Sequence, residues 1–525
     1  MKNRSKLIWI IPLILGILFD ILFWKQIPGV NFSIFVVLCL LGGFLFLHQQ
    51  EVKPSVRSWL LIVLILFFAS VTFLRQEPLT VFLGVFFTLF LLAELAFTYQ
   101  GGQWLLFGII DHVIAFFRLA GGMIARPFNF LTSRNPNGEA ANRKNTKIWA
   151  IVRGVLLAIP VLLIFASLLS SADLIFAQKV TSFVDLFRLE KLPEYIFRTA
   201  YILFGAYLLM GVFLHAAASS QAIEGIQGEK KPLIPPFLGF IETGIILGSV
   251  VILFSLFVIV QFRYFFGGAA NIHLEGYTYA EYARKGFGEL VVVAVISLFL
   301  LLGLSGVSLR EKLSQQKVFS GLGIALVLLV GVMMVSAYQR LVLYETAYGF
   351  SELRTYTHVF MIWLGALLVA VMILELANRE RKFALAVLLA AIGFAASLPL
   401  LNVDAFIVRQ NVDRATQGQD LDVAYLASLG FDAVPELAAQ YNDPDLSPGL
   451  HHMLGASLLC KSELTPSNDV YSWRSFHYSR SKAEKIFSDL EGDFNDYDLE
   501  KEDYQINITT PSGQVIECRD LGGVD

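Results

Sequence analysis

The sequence predicts an all-α protein: a polytopic transmembrane helix bundle of about 11 spans with a small, mainly helical, soluble C-terminal domain. Three observations lead there. Eleven apolar runs occupy the first 400 residues. Each is long enough to cross a hydrocarbon core about 30 Å thick, which takes ~20 mainly apolar helical residues because backbone groups left unpaired in lipid are costly. Of the 525 residues, 56% are hydrophobic and 16% charged, with a mean hydropathy of +0.64, against about 25% charged in an ordinary soluble chain. The net charge of −3 hides a partition, since residues 402–525 hold 22 acidic and 9 basic side chains and the remainder is net basic. Hence the boundary between a membrane domain, 1–401, and an acidic soluble domain, 402–525.

Lys2, Arg4 and Lys6 precede the first apolar run, Leu7 to Trp24, which no small-residue cleavage site follows. It reads as an uncleaved span. The remaining spans fall at about 29–47, 59–74, 79–97, 148–171, 196–217, 237–262, 287–307, 320–338, 359–377 and 383–401. A further stretch, 103–119, holds Asp111, His112 and Arg118 and reads as an interfacial or re-entrant helix. With the N-terminus in the cytoplasm and 103–119 not crossing, inner segments carry 19 Lys and Arg and outer loops 10. That is the asymmetry of the positive-inside rule. Eleven crossings then place the C-terminal domain outside the cytoplasm. The inner loop 120–147 is basic and rich in Asn and Gly, which suits an anionic leaflet.

In the tail, Asp420 to Gln440 reads as two short helices broken at Gly430 and Pro435. Ser479 to Leu490 is amphipathic, with Ala483, Ile486, Phe487 and Leu490 on one face. YQINITTPSGQVIEC, from Tyr504, alternates as two strands around a turn at Ser512–Gly513. The acidic run from Asp489 lacks the ligand spacing of an EF-hand and reads as a solvated linker. Cys460 and Cys518 both lie in the tail, where an oxidising compartment would allow them to pair.

The clearest polar constellation is YQRLVLYETAYGFSELRTYTH, Tyr338 to His358, in an outer loop. Its candidate site residues are Tyr344, Glu345, Tyr348, Glu352, Arg354, Tyr356 and His358. Helical spacing puts Glu345, Tyr348, Glu352 and Tyr356 on one face and sets Arg354 four residues from His358, with Gly349 able to break the helix. Such a cluster suits a polar headgroup, a cation or a peptide, and it equally suits an anchor at the bilayer edge. Secondary candidates are Asp173, which reads as a helix cap, with Glu281, Arg284 and Glu289 at other outer span ends. Glu94, Glu242 and Glu289 are the carboxylates a transporter would use, though they sit near span ends, and Asp20 comes closest to mid-span.

No phosphate loop, H-E-x-x-H, paired C-x-x-C or G-x-S-x-G occurs. No cofactor and no metal are therefore expected. Expected partners are the lipid bilayer and a membrane or envelope protein, with no nucleic acid.

The stretches SSADLIF, YFFGG, YTYAEYARKGFGELV, YETAYGFSELRTYTHVFMIW, NVDAFIVRQN and LDVAYLASLGFDAVPEL, taken together, resemble an uncharacterised family of bacterial polytopic membrane proteins known only as a domain of unknown function. The resemblance runs from about Trp149 to Leu437. It implies a bacterial integral membrane protein and supplies no catalytic residue or ligand; the expected location is the plasma membrane. Absence of catalytic motifs puts a non-enzymatic scaffold or signalling component first. A transporter, and a lipid- or glycan-modifying enzyme using Glu345, Glu352, Arg354 and His358, are the alternatives.

Overall fold

A computed structural model describes residues 7–132, 165, 169, 173, 176, 179, 192–222, 236–265, 287–377, 379, 382–465, 471–502 and 505–518. The first helices are α1 (Leu7–Phe23), α2 (Val30–Gln49), α3 (Val56–Leu74), α4 (Pro78–Thr98) and α5 (Ile109–Thr132). Beyond them come α6 (Leu192–Ala222), α7 (Phe240–Phe265), α8 (Phe287–Val307), α9 (Leu313–Tyr348), α10 (Glu352–Leu376) and α11 (Phe383–Leu401). Among the described residues nine helices are long and apolar enough to span a membrane, namely α2 to α4 and α6 to α11. The shorter apolar α1 falls on the first expected span, and the expected span at 148–171 lies almost wholly outside the described residues. The protein is thus an all-α polytopic membrane protein.

Local chemistry sets several helix ends. Ser55 accepts a bond from the Arg57 amide at the start of α3, which lengthens the short expected span by three residues. Glu77 caps α4 through the Leu79 and Thr80 amides, with Pro78 at the first helical position. α9 is much longer than the expected 320–338: its 36 residues rise about 54 Å, well beyond a bilayer core. Gly349 ends it in the left-handed region at φ +79°.

A further correction concerns residues 120–147. Residues 120–132 are not loop but the second half of α5, and 133–147 lie outside the described residues. α5 exposes Ile110, Val113, Phe117, Ile124 and Phe128 while burying His112, Ala115 and Leu119. It is amphipathic and is not among the helices apolar enough to span, which fits a helix lying in the interface.

The chain divides into two compact units. The first comprises residues 1–25, 37–53 and 117–221. There Asp20, 3% exposed, takes a two-pronged ion pair from Arg198 at 2.5–3.2 Å, so the carboxylate nearest mid-span is already neutralised. Trp24 Nε1 donates to Glu194 at 2.9 Å. A Cβ on Gly16 would lie 2.7 Å from the Ile202 carbonyl, so glycine permits the close packing of α1 on α6.

The second unit comprises residues 26–36, 54–116 and 222–525. No linker separates its membrane helices from the tail. α11 ends at Asn402, which takes φ +54° and turns the chain directly into α12 (Val403–Thr416). Next come α13 (Val423–Ser428), a 3₁₀ turn at Phe431–Ala433, α14 (Val434–Tyr441), α15 (Pro448–Glu463) and α16 (Tyr478–Leu490). Pro435 therefore does not break a helix but begins one, where its missing N–H costs nothing. β1 (Asp498–Glu502), β2 (Gln505–Thr509) and β3 (Val515–Cys518) form an antiparallel sheet in that order. β2 and β3 are the expected hairpin, turning at Gly513 with φ +83°. β1 corrects the reading of the acidic run as linker: Leu499 packs on the core while its charged neighbours face solvent, the pattern of an edge strand. One buried apolar cluster runs from Leu398 at the end of α11 through α12 to α15 and on to Ile508 and Ile516.

The 26–29 turn between α1 and α2 meets the tail: Val30 N–H donates to the Phe476 carbonyl at 3.0 Å and Ser475 Oγ to the Ile27 carbonyl at 2.9 Å. A Cβ on Gly29 would lie 2.8 Å from the Phe476 carbonyl and 3.1 Å from the Ser475 carbonyl carbon. Backbone cannot swing aside as a side chain can. Gly29→Ala is expected to lift residues 473–476 from this turn, read as faster hydrogen exchange at Val30 and a new proteolytic cut near Trp473.

Candidate functional site

The polar residues at the rim of the second unit gather where three turns meet the tail. Asp432, on the 3₁₀ turn before α14, is 2% exposed. Its carboxylate accepts from the Gln76 amide at 2.5 Å and the Glu77 amide at 3.3 Å. It also accepts from Arg75 Nη1 at 3.4 Å and Ser479 Oγ at 2.5 Å. Arg75 in turn donates through Nε to the Pro399 carbonyl at 2.9 Å. One side chain thus ties the α3–α4 turn to α14 and α16.

The second tie is an amide match. Asn411 of α12 accepts from the Phe350 N–H at 2.8 Å and donates to the Phe350 carbonyl at 2.9 Å, holding the α9–α10 turn in a two-point grip. Beside it, Tyr356 donates its hydroxyl to Glu77, and the Glu352 amide donates to the Tyr425 hydroxyl at 3.0 Å.

Between these ties lies a buried carboxyl pair. Neither oxygen of Asp404 accepts from any N–H or O–H of the described residues, yet its carboxyl group meets that of Glu352. Such a pair holds together only with a proton between the two groups. Burial, then the neighbouring Glu352, Asp432 and Glu77, raise the pKa of Asp404 well above the usual carboxylate range, with Lys461 opposing. Lys461 donates to the Leu429 carbonyl, and burial lowers its own pKa. Burial also pushes the Tyr425 phenol up to about 12. Gly430 seals the pair: a Cβ there would lie 2.6 Å from Asp404 Oδ2.

The sign of the pH effect follows from linkage. The folded protein keeps a proton on Asp404 that the unfolded chain releases above about pH 3.9. This contribution to stability is full below that pH and is lost as pH rises towards the folded-state value. Asp404→Asn is expected to flatten the decline, so the variant outlasts the parent protein at alkaline pH and loses the advantage in acid. Thermal unfolding in detergent across the pH range measures it.

The structure separates the residues that helical spacing placed on one face. Because Gly349 breaks the helix, Glu345 of α9 points back to His358 of α10 at 3.5 Å, with the Tyr338 ring stacked on His358. Glu352 faces Asp404 and Tyr356 faces Glu77. Arg354 donates to the carbonyls of Tyr348 and Gly349 and lies over the Tyr344 ring, while Tyr348 is exposed. Glu352, Arg354 and His358 therefore do not converge on one point. Asp173 accepts from the Phe176 amide at 3.0 Å, the expected cap. Glu281 and Arg284 lie outside the described residues, and Glu289 is exposed in the first turn of α8. Glu94 is paired with His112 at 2.8 Å, and Glu242 is exposed in the first turn of α7. Among the described residues no group of three His, Cys, Asp or Glu is arranged to hold a metal ion.

Glu77, Asp404, Asn411, Tyr425, Asp432 and Lys461 escaped the sequence reading. Glu77 carried a usable signal, an acidic residue before Pro78 at a span start. NVDAFIVRQN and LDVAYLASLGFDAVPEL, which support the resemblance, contain Asp404, Asn411, Tyr425 and Asp432.

The sequence matches the family described as Domain of unknown function (DUF4153) over residues 61–440. The chain belongs to that family. The match extends the resemblance towards the N-terminus, beginning within α3 and closing within α14. It therefore spans Glu77, the α9–α10 turn, Asp404 and Asp432, and it leaves out α1, α2, α15, α16 and the sheet. No curated protein and no solved structure matches the chain.

Proposed function

We propose that this protein is a non-enzymatic component of a bacterial cell envelope, held in the plasma membrane with its tail at the outer surface as a fixed platform for a membrane protein partner. The observation that carries the reading is the buried polar junction: Asp432, Asn411 and the Ser475–Phe476 segment lock the tail onto three separate turns of the helices beneath it. Groups that catalysis would bring together are instead spent on that junction or dispersed around it. A disulfide between Cys460 and Cys518 supports the outer placement, because such bridges persist in oxidising compartments. All three turns fall in loops that the charge asymmetry assigns to the outside. Trp473, Phe476 and Tyr478 are exposed along one edge of the platform, a concentration of aromatic surface suited to a partner.

A topology reporter fused after Asp525, and photocrosslinkers in place of Trp473 and Tyr478, test both halves of the proposal. The expected results are an extracytoplasmic reporter and one discrete membrane-protein adduct that weakens when Asp432 is replaced. A cytosolic reporter, or crosslinks to lipid alone, would overturn it.

A further inference from the structure

A cavity of about 300 Å³ opens beside the polar junction, lined by Ser351, Arg354 of α10, Arg414 of α12 and, on the approach to α13, Asp420 and Asp422. Its two guanidinium groups are under-used. Arg354 spends Nη1 on the carbonyls of Tyr348 and Gly349, and its Cζ lies 4.2 Å from the Tyr344 ring centroid. Arg414 spends Nη2 on the Thr346 carbonyl at 2.8 Å. Nε and Nη2 of Arg354, and Nε and Nη1 of Arg414, have no acceptor among the described residues, and Arg414 Nε is buried. No carboxylate of the described residues lies within ion-pair distance of either guanidinium. Burial, then the like charge of Arg354, lowers the pKa of Arg414.

The backbone is shaped to admit them. A Cβ on Gly349 would lie 2.7 Å from Arg414 Nη1 and 2.6 Å from Asn411 Oδ1, on top of the φ +79° that already favours glycine. Acidic groups line the same cavity further off. Asp422 is half-engaged, capping the Tyr425 amide at 2.9 Å through Oδ1, while Asp420 is exposed.

We propose that this cavity binds a zwitterion made of a phosphate and an amine, of the phosphoethanolamine class. The phosphate oxygens sit on the free N–H groups of Arg354 and Arg414, and the ammonium sits on Asp420. Guanidinium forks match phosphate oxygens in geometry as well as charge. Two guanidinium groups on one cavity wall with no carboxylate in ion-pair reach favour an anion, and a purely anionic ligand would meet the repulsion of Asp420 and Asp422. A volume of about 300 Å³ is at the small end of ligand pockets. This chemistry is shared by a lipid headgroup, which the rim position beside exposed Tyr348 would supply, and by a soluble phosphoamine.

Calorimetric titration of the purified full chain in detergent tests the proposal without regard to which side the tail faces or what partner it recruits. Phosphoethanolamine is expected to bind about tenfold or more tightly than inorganic phosphate or glycerol phosphate. Arg354→Gln and Arg414→Gln each weaken all three ligands by about tenfold or more. Asp420→Asn, on the exposed wall, removes the preference for the amine while phosphate binding persists or tightens, a gain that misfolding cannot imitate. No binding of any ligand by the parent protein, equal binding by the arginine variants, or an unaltered amine preference in Asp420→Asn would overturn it. The source is separated in nanodiscs: phosphatidylethanolamine discs, but not phosphatidylglycerol discs, suppress the soluble titration if a lipid headgroup occupies the cavity, and both disc types permit it if the ligand is soluble.

Discussion

Asp432→Ala is expected to loosen the tail from the membrane helices with a loss of about 3–5 kcal/mol in the stability of the junction. The removed carboxylate leaves the Gln76 and Glu77 amides, the Arg75 guanidinium and the Ser479 hydroxyl without the acceptor they share. Two of these donors are backbone groups in a turn too tight to find other partners, and each unpaired buried donor costs about 1–3 kcal/mol. Asp432→Asn keeps one acceptor oxygen and should cost less than alanine. The measurement is hydrogen exchange at Gln76 and Glu77, with limited proteolysis of α14 and α16, in the intact protein in detergent. Protection as high as in the parent protein would show that the junction does not hold the tail. Arg75→Ala provides the comparison: it removes one half-buried arm of the network and leaves the three shorter bonds to Asp432 in place.

The second large effect is expected from Cys518→Ser. Cys460 of α15 and Cys518 of β3 are both buried, and their bridge spans a sequence separation of 58 residues. Closing a loop of that size stabilises a fold by about 4 kcal/mol on the chain-entropy account. The sheet is small and sits at the end of the chain, so its loss should be local: β1 to β3 become protease-sensitive while α12 to α15 remain protected. Alkylation of denatured protein before and after reduction reads the bond directly, with Cys39, the free cysteine, as the internal reference. Modification of Cys460 and Cys518 without reductant would remove the bridge and, with it, one support for placing the tail outside the cytoplasm.

How much of this was legible in the sequence varies with the range of the forces involved. The hydrophobic runs declared nine of the described helices, and the stretch at 103–119, read as less apolar than a span, falls on a helix that is not among the nine apolar enough to cross. The β2–β3 hairpin was legible from strict alternation around Ser512–Gly513. The sheet's third strand was not, because an edge strand hides under charges that read equally well as solvated linker. The candidate site was half legible. Tyr338 to His358 stood out as polar residues at a bilayer edge, and Arg354 does line the cavity. Its partners were out of reach: Arg414 is 60 positions further on and Asp404 is 52 positions from Glu352, with no local pattern linking either pair.

By itself the sequence determined the membrane class, the approximate spans and the acidic tail, since these follow from the transfer of apolar and charged groups between water and lipid. Only the tertiary structure decided that the tail continues the membrane helices without a linker. It also decided that Gly349 sends Glu345 and Glu352 to different partners, and that Asp432 and Asn411 bind turns far away in the chain. The reason is physical. Hydropathy is a property of each segment and can be read locally, whereas a buried carboxylate or amide takes its role from whichever donors and acceptors the folded backbone brings within 3 Å.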